Sequence, residues 1–247
     1  MTEDIKNLYK KFCFIKDMGF IKSKRKGSTG VGYTFEELIN KPEESFPIPD
    51  FNSIEIKTCR YQSRQAIHLF TATPDGDFLF PIKRIIDILG YPDKDIKTSK
   101  VFNFSFNGKS YSNIGYHKRG KIVVNWKDEK IDFIALDLVN NNLNVDVSWS
   151  FDLLQEKLNM KLKYLAIIDT DSKFINGEEY FHYCNIRFYK LKDFDTFISL
   201  IEKGYINVCF NIGVFKYGPK MGQIHDHGVG FTLSKKYIKM LYDEIKV

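Results

Sequence analysis

The alternating segment that begins at Ile54 constrains the fold of this chain more than any other. Ile54 and Ile56 alternate with Glu55 and Lys57, and successive side chains of a β-strand point to opposite sides. The pattern predicts a strand with one buried apolar side. Glu55 and Lys57 are then expected to face one space, which Asp50 can reach from the preceding turn.

Strand-like and helix-like segments follow one another along the 247 residues, which predicts a mixed α/β (α+β) chain with no linker that divides it. Helices are expected over 5–18, from Thr34, over 82–89, 149–158 and 193–204, and from Ser234. Strands are expected over 54–59, 67–71, 101–106, 121–126, 131–138, 162–168, 180–189, 207–215 and 228–233. Those between 101 and 138 are expected to form an antiparallel meander.

Charge and cysteine usage exclude several classes of protein. Basic residues exceed acidic ones by 37 − 31 = 6, which permits a polyanionic partner without proving one. The charged N-terminus lacks the apolar stretch of a signal peptide, and no apolar run reaches the roughly 18 residues of a membrane span. The four cysteines are scattered with no CxxC pair, which is typical of free thiols in a reducing cytoplasm. We therefore expect a cytoplasmic protein without membrane association.

The pattern of Asp50, Glu55 and Lys57 suits metal-assisted phosphodiester hydrolysis. Two carboxylates form a hard-oxygen site for Mg²⁺, and a lysine beside the metal can hold or deprotonate the attacking water. The alternative is an ordinary solvated Glu/Lys pair on a strand, since D-x₄-ExK also occurs by chance. Glu36, upstream on a short predicted helix, can add a third carboxylate and favours the catalytic interpretation.

Two basic, glycine-containing loops are candidates for DNA contact. The first carries Lys24, Arg25 and Lys26 ahead of three glycines, so that backbone and side chains can meet phosphates; the alternative is a merely solvated loop. The second loop, between the last two predicted strands, carries Lys216 and Lys220, and lysines suit phosphates.

The second loop continues into His225, Asp226 and His227. Imidazoles and a carboxylate can exchange hydrogen bonds with base edges in a DNA groove. Two alternatives stay open. The histidines can ligate zinc, although no ligand cluster surrounds the nearest cysteine in sequence, Cys209, or they can satisfy buried backbone groups.

Taken together, these motifs resemble those of the MvaI/BcnI restriction endonucleases, which belong with MutH in the PD-(D/E)xK nuclease superfamily. The matching segments span nearly the whole chain in order: 24–38, 49–58, 149–155, 161–164 and 225–228. The resemblance implies a mixed central sheet flanked by helices, with a strand-rich DNA-clamping lobe. A single nuclease chain over 1–247 would hold its catalytic part around 20–75 and 160–170 and its DNA-recognition part around 205–235.

The resemblance also implies individual roles. Asp50 and Glu55 would hold Mg²⁺, Lys57 would position or activate the water, and Glu36 would support the metal site. The family pattern has Asp-x-Arg at the place of Cys209-Phe-Asn211 and an arginine at the place of Thr232. Asn211 and Thr232 therefore occupy base-reading positions, and the target need not be the family's CC-N-GG type of site.

The function that follows is a Mg²⁺-dependent type II restriction endonuclease of the bacterial cytoplasm. The enzyme would cut double-stranded DNA to 5′-phosphate and 3′-hydroxyl ends, acting as a monomer on a short pseudosymmetric site. No obligate protein partner is expected, and a cognate DNA methyltransferase would protect the host. The alternatives are a MutH-like nicking endonuclease of mismatch repair and a catalytically inactive DNA-binding module.

Overall fold

The computed structural model describes residues 2–39, 49–61, 63, 65–76 and 79–247. The chain divides into two compact units. The first unit comprises Met1–Gln65, Leu158–Lys192 and Ile238–Val247, and the second comprises Ala66–Lys157 and Asp193–Tyr237. None of the described helices is long and apolar enough to cross a membrane.

Helices are distributed over both units. The described residues form six α-helices and one 3₁₀ turn (Lys235–Tyr237): α1 (Glu3–Asp17), α2 (Gly30–Leu38), α3 (Leu79–Leu89), α4 (Phe151–Lys161), α5 (Phe194–Glu202) and α6 (Ile238–Leu241). The helix expected over 193–204 is present as α5, and Asp193 caps it, because its side chain accepts a hydrogen bond from the Thr196 N–H at 2.6 Å.

Strands account for most of the remaining regular structure. The described residues form β1 (Ile21–Lys22), β2 (Ile54–Arg60), β3 (Ile67–Thr71), β4 (Tyr91–Pro92), β5 (Lys100–Phe106), β6 (Ser112–Ile114), β7 (Lys118–Asn125), β8 (Lys130–Asp137), β9 (Val147–Ser150), β10 (Tyr164–Ile175), β11 (Glu178–Leu191), β12 (Ile206–Val214), β13 (Ile224–Asp226), β14 (Gly230–Leu233) and β15 (Tyr242–Ile245). The predicted mixed α/β fold is therefore confirmed.

The sheet of the first unit has the order β1-β11-β10-β2, with β15 also paired to β11. β2 runs parallel to β10 and places Glu55 opposite Leu165 and Lys57 opposite Ile167. Ile54 and Ile56 are buried in an apolar cluster that includes the inner faces of α1 and α2. The alternation in the sequence therefore separates this core from the Glu55 and Lys57 side of β2, as predicted.

The second unit contains two further sheets. One has the order β3-β14-β12-β5-β4, with β13 paired to β12, and the other has the order β6-β7-β8-β9. Rings from both sheets pack together: Phe133 lies 4.7 Å from Phe106 and 4.8 Å from Phe210 between ring centroids. This aromatic core leaves the outward side chains of β12 and β14 available at the surface.

Two of the predicted boundaries are wrong for local reasons. The short helix expected from Thr34 begins at Gly30. Glycine fits this position, since an added Cβ would lie 2.3 Å from the Arg25 carbonyl oxygen. The helix expected over 149–158 begins at Phe151. Trp149 instead lies in β9, where its indole N–H donates a hydrogen bond to the Ala72 carbonyl oxygen at 3.0 Å.

The strand pairing predicted for one segment is wrong, and the last predicted helix is followed by a further strand. The meander expected over 101–138 holds for β7 and β8, but β5 pairs with β12 and β4 instead. The last helix, expected from Ser234, is present as the 3₁₀ turn and the short α6 that follows it. The chain then forms β15 against β11, a strand that the sequence did not predict.

Candidate active site and DNA-reading face

Glu55 lies at the centre of the candidate active site in the first unit. Its side chain is only 1% exposed, and burial raises the pKa of its carboxyl group, with the Lys57 charge opposing that rise. Oε1 accepts a hydrogen bond from Lys57 and lies 3.3 Å from Lys161 Nζ. Oε2 is buried without a hydrogen-bond partner among the described residues. A cation or a hydrogen-bond donor bound to this oxygen would satisfy it.

Asp50 is held next to Glu55 by a tight turn at the start of β2. Phe51 and Ile54 exchange backbone hydrogen bonds of 2.9 and 2.8 Å, and Asn52 takes the positive φ that this turn needs. Asp50 Oδ2 accepts the Ile56 N–H at 2.8 Å. Its negative charge also raises the pKa of Glu55, so the Asp50 carboxylate lies within electrostatic range of Glu55.

Glu36 is half-buried on α2, beside the continuation of β2. A Cβ added at Gly32 would lie 3.7 Å from Glu36 Oε1 and 3.4 Å from Thr58 Oγ1. Among the described residues, no group of three or more His, Cys, Asp and Glu side chains is placed to hold a metal ion. The carboxylates of Asp50 and Glu55 thus lie at the start of β2, and Glu36 lies on α2 beside a later part of that strand.

Lys161 has no role that follows from the sequence alone, although its segment is one of those that carry the resemblance. It ends α4, and the next strand, β10, runs parallel to β2 with Tyr164 opposite Ile54. This pairing brings the lysine to Glu55. Tyr242 is a second residue that the sequence did not indicate: burial raises the pKa of its hydroxyl group, and the negative charge of Glu55 raises it further.

The first basic loop is folded back onto α2. The Lys24 N–H donates to Thr34 Oγ1 at 2.9 Å, and the Arg25 guanidinium stacks 3.8 Å from the centre of the Tyr33 ring. The side chains of Lys24 and Lys26 are exposed, whereas Arg25 is half-buried. The loop thus presents two exposed ammonium groups and one guanidinium that packs against a ring.

The predicted reading residues of the second unit lie on the outward face of its larger sheet. Asn211 is exposed on β12. Thr232 Oγ1, on β14, is 3.4 Å from Cys209 Sγ, which in turn accepts a hydrogen bond from Ser105 at 3.1 Å. Ser105, Cys209 and Thr232 thus form a hydrogen-bonded row across three neighbouring strands.

The two histidines stand together at the end of this face. His225 stacks on Phe215 with ring centroids 4.1 Å apart, and the two imidazole rings are 4.2 Å apart. Asp226 Oδ1 accepts the Gly228 N–H at 2.9 Å. Burial raises the pKa of Asp226, against the opposing effects of that hydrogen bond and of the histidines.

The two lysines of the second basic loop differ in their surroundings. Lys216 Nζ lies 2.6 Å from both carboxylate oxygens of Asp93 and 3.1 Å from Asp95, and the hydrogen bond from Lys216 lowers the pKa of Asp93 to about 2. Lys220 is exposed, 5.7 Å from the centre of the Phe215 ring. Lys216 therefore fastens the loop to residues 93–95, whereas Lys220 presents its charge to solvent.

A family model for the MvaI/BcnI restriction endonuclease family matches residues 9–242. The chain belongs to that family. Family membership makes it a type II site-specific deoxyribonuclease and confirms the restriction-endonuclease interpretation of the sequence. The segments that carried the resemblance lie within the matched range.

Solved structures give the same result. The chain is similar to restriction endonuclease MvaI in complex with a cognate DNA substrate, with 30% identity, a TM-score of 0.90 and coverage of 99% of this chain and 98% of that one. MvaI in the absence of DNA matches with 28% identity, the same coverage and a TM-score of 0.64. No significant match exists among curated protein sequences.

Proposed function

We propose that this restriction endonuclease cuts double-stranded DNA with Mg²⁺ held by Asp50 and Glu55. The observation that carries the metal is the buried Glu55 Oε2, which has no hydrogen-bond partner among the described residues and lies near a second carboxylate. A hard divalent cation satisfies such an oxygen and needs few protein ligands, because Mg²⁺ keeps several of its waters. When bound, the ion supplies Lewis-acid stabilisation of the phosphate charge.

The two lysines complete this site. Lys57 and Lys161 both lie at Oε1 of Glu55, so they fix the carboxylate and leave Oε2 directed elsewhere. We assign to Lys57 the holding or deprotonation of the attacking water at its Nζ, and to Glu36 the support of the site from α2. Water adds to phosphorus as the bond to the 3′ oxygen breaks, which leaves a 5′-phosphate and a 3′-hydroxyl.

We assign the recognition of DNA to groups in both units. The solved relative in complex with cognate DNA supports duplex DNA as the ligand. Lys24, Arg25, Lys26, Lys220 and Lys216 are assigned to phosphates, with the charge of Lys216 already shared with Asp93. Asn211, Thr232, His225, Asp226 and His227 are assigned to base edges, because their side chains offer both donors and acceptors.

The biological setting is part of the same proposal. The enzyme acts as a monomer on a short pseudosymmetric site in the bacterial cytoplasm. It needs no protein partner, and a cognate methyltransferase protects the host DNA. The match of residues 9–242 to the MvaI/BcnI restriction endonuclease family supports this setting.

Plasmid cleavage tests the proposed chemistry. Wild-type protein should cut DNA into discrete fragments with Mg²⁺ and should not cut with EDTA. Lys57→Ala should lose cleavage while still shifting DNA in a gel with Ca²⁺. Lys190→Ala, an exposed lysine on β11 of the same unit, is the matched control and should cut as wild type does. Normal cutting by Lys57→Ala would show that the assigned site is wrong.

A further inference from the structure

Two asparagine carboxamides lie side by side on the outward face of the larger sheet of the second unit. Asn103 on β5 is the cross-strand partner of Asn211 on β12, and directly opposed residues of an antiparallel pair share a face. Both side chains are exposed. Both also line a cavity of about 630 Å³ whose wall includes His225 and His227.

The hydrogen-bonding capacity of this asparagine pair is not used within the protein. Among the residues that the structure describes, neither carboxamide has a hydrogen-bond partner. The neighbouring polar side chains differ in this respect, because Ser105 and Thr232 are both hydrogen-bonded to the Cys209 thiol. Buried or groove-facing amides that lack a partner are costly once water is excluded, so a ligand must complete them when this face is covered.

The chemistry of the asparagine pair selects one base. In the major groove adenine presents the N7 acceptor next to the N6 donor, which a carboxamide matches with two hydrogen bonds. Guanine presents two acceptors, which arginine or lysine matches best. β12 and β14 contain no arginine or lysine, so these two strands carry no cationic side chain for reading guanine.

We propose that Asn103 and Asn211 read adenine in the major groove, so that the recognised sequence contains a required adenine. This inference rests on the proposed function, since it names the base read by the same DNA-binding face. It adds Asn103, which no sequence motif indicates, to the reading residues. The recognised sequence then contains an A·T pair at a fixed position.

Cleavage of a random duplex library, followed by sequencing of the cut ends, tests the proposal. Wild-type protein should require adenine at one position or more. Asn103→Ala and Asn211→Ala should each reduce discrimination at an adenine position by about 5- to 150-fold, the equivalent of one lost bidentate contact. Asn113→Ala, an exposed asparagine on β6 in the other sheet, should leave the consensus unchanged.

Two further measurements separate base reading from a general loss of folding. Asn211→Asp keeps the shape of the side chain but only accepts hydrogen bonds, so its preference should move from adenine towards cytosine, whose N4 is a donor. Substrates with 7-deazaadenine lack the N7 acceptor and should slow the wild type while slowing Asn211→Ala no further. A consensus made only of G·C pairs, or unchanged discrimination in either alanine variant, would overturn the proposal.

The failure of the proposal differs from the failure of the proposed function. Absence of Mg²⁺-dependent cleavage by the wild type would contradict the proposed chemistry alone. In that case, the duplexes that the protein retains in a gel with Ca²⁺ are sequenced instead. Enrichment of adenine that disappears in Asn103→Ala and Asn211→Ala supports the reading pair, and no enrichment overturns it.

Discussion

Replacement of Gly228 by alanine tests how tightly the turn beside the histidine pair is packed. Gly228 has φ +81, and a Cβ added there would lie 2.2 Å from Cγ2 of Thr71. Its N–H also donates to Asp226. A side chain at this position therefore faces two separate penalties, one from the backbone conformation and one from a single methyl group on β3.

Gly218 allows the two penalties to be separated. It has φ +79, and nothing lies within 4 Å of its added Cβ. A left-handed conformation costs a non-glycine residue about 1–2 kcal/mol, of which the stiffer unfolded chain returns about 0.4–1 kcal/mol. Gly218→Ala should therefore lose about 1 kcal/mol. Gly228→Ala should lose about 1–3 kcal/mol more, the usual cost of overpacking.

Thermal denaturation provides the assay. For a chain of this size each kcal/mol corresponds to a Tm shift of about 2–4 °C, so Gly228→Ala should melt roughly 2–12 °C below Gly218→Ala. Thr71→Ser removes the obstructing methyl group and keeps the hydroxyl that lies 3.1 Å from His68 Nε2. Gly228→Ala combined with Thr71→Ser should therefore recover most of the difference.

Two results would refute this reasoning. Equal melting temperatures for Gly228→Ala and Gly218→Ala would mean that the backbone alone sets the cost. A double variant with Thr71→Ser that is no more stable than Gly228→Ala would mean that the methyl contact does not limit the packing. In either case the close approach of this turn to β3 would not be the reason for glycine.

Two further predictions concern lysines that make close contacts with acidic side chains. Lys161→Ala should lower the Mg²⁺-dependent cleavage rate by about 10- to 100-fold, because misplacing a reacting group by about 1 Å costs that much. Replacement of the exposed Lys163 by alanine is the control and should leave the cleavage rate at the wild-type value. Equal rates for the two variants would show that Lys161 does not belong to the site. Lys216→Met should raise the pKa of Asp93 from about 2 towards its ordinary 3.8, measured by carboxyl carbon NMR. A carboxyl group whose pKa is lower in the folded protein stabilises the fold at any pH above its pKa in the unfolded chain. This stabilisation is lost as the pH falls through the pKa of the folded state. Because Lys216→Met weakens the effect, the variant should also unfold at a higher pH in an acid titration.

Local patterns predicted the parts of the fold that depend on one segment at a time. The alternation of Ile54 and Ile56 with Glu55 and Lys57 was enough to identify β2 and its two sides. The helices expected over 5–18 and 193–204 are likewise present as α1 and α5. In each case burial or capping acts within a few residues, so the sequence contains the whole signal.

Pairing between distant segments could not be predicted in the same way. The sequence pattern predicts that β5 joins a meander with its sequence neighbours. In the structure β5 pairs with β12, roughly a hundred residues later. Turn residues indicate where a strand ends but carry no information on which strand lies beside it. The same limitation hid Lys161 and Tyr242, since they approach Glu55 only through the pairing of β10 with β2 and of β15 with β11.

His68 shows how such pairing creates a functional surface from residues that look isolated. The sequence assigned it no role, but in the structure it is the cross-strand partner of Thr232. Gly230 leaves room for it, because a Cβ there would lie 2.6 Å from His68 Cε1.

The outward face therefore combines two kinds of polar side chain. Ser105, Cys209 and Thr232 form hydrogen bonds with one another. The asparagine pair makes no side-chain hydrogen bond with the described residues. A row that is already bonded keeps its geometry before DNA arrives, and preorganised contacts lower the cost of binding. The row therefore holds Thr232 in position for base contact and supports the neighbouring asparagines. Substitution of Cys209 should then weaken discrimination at the adenine read by Asn211 and should create no new base preference of its own.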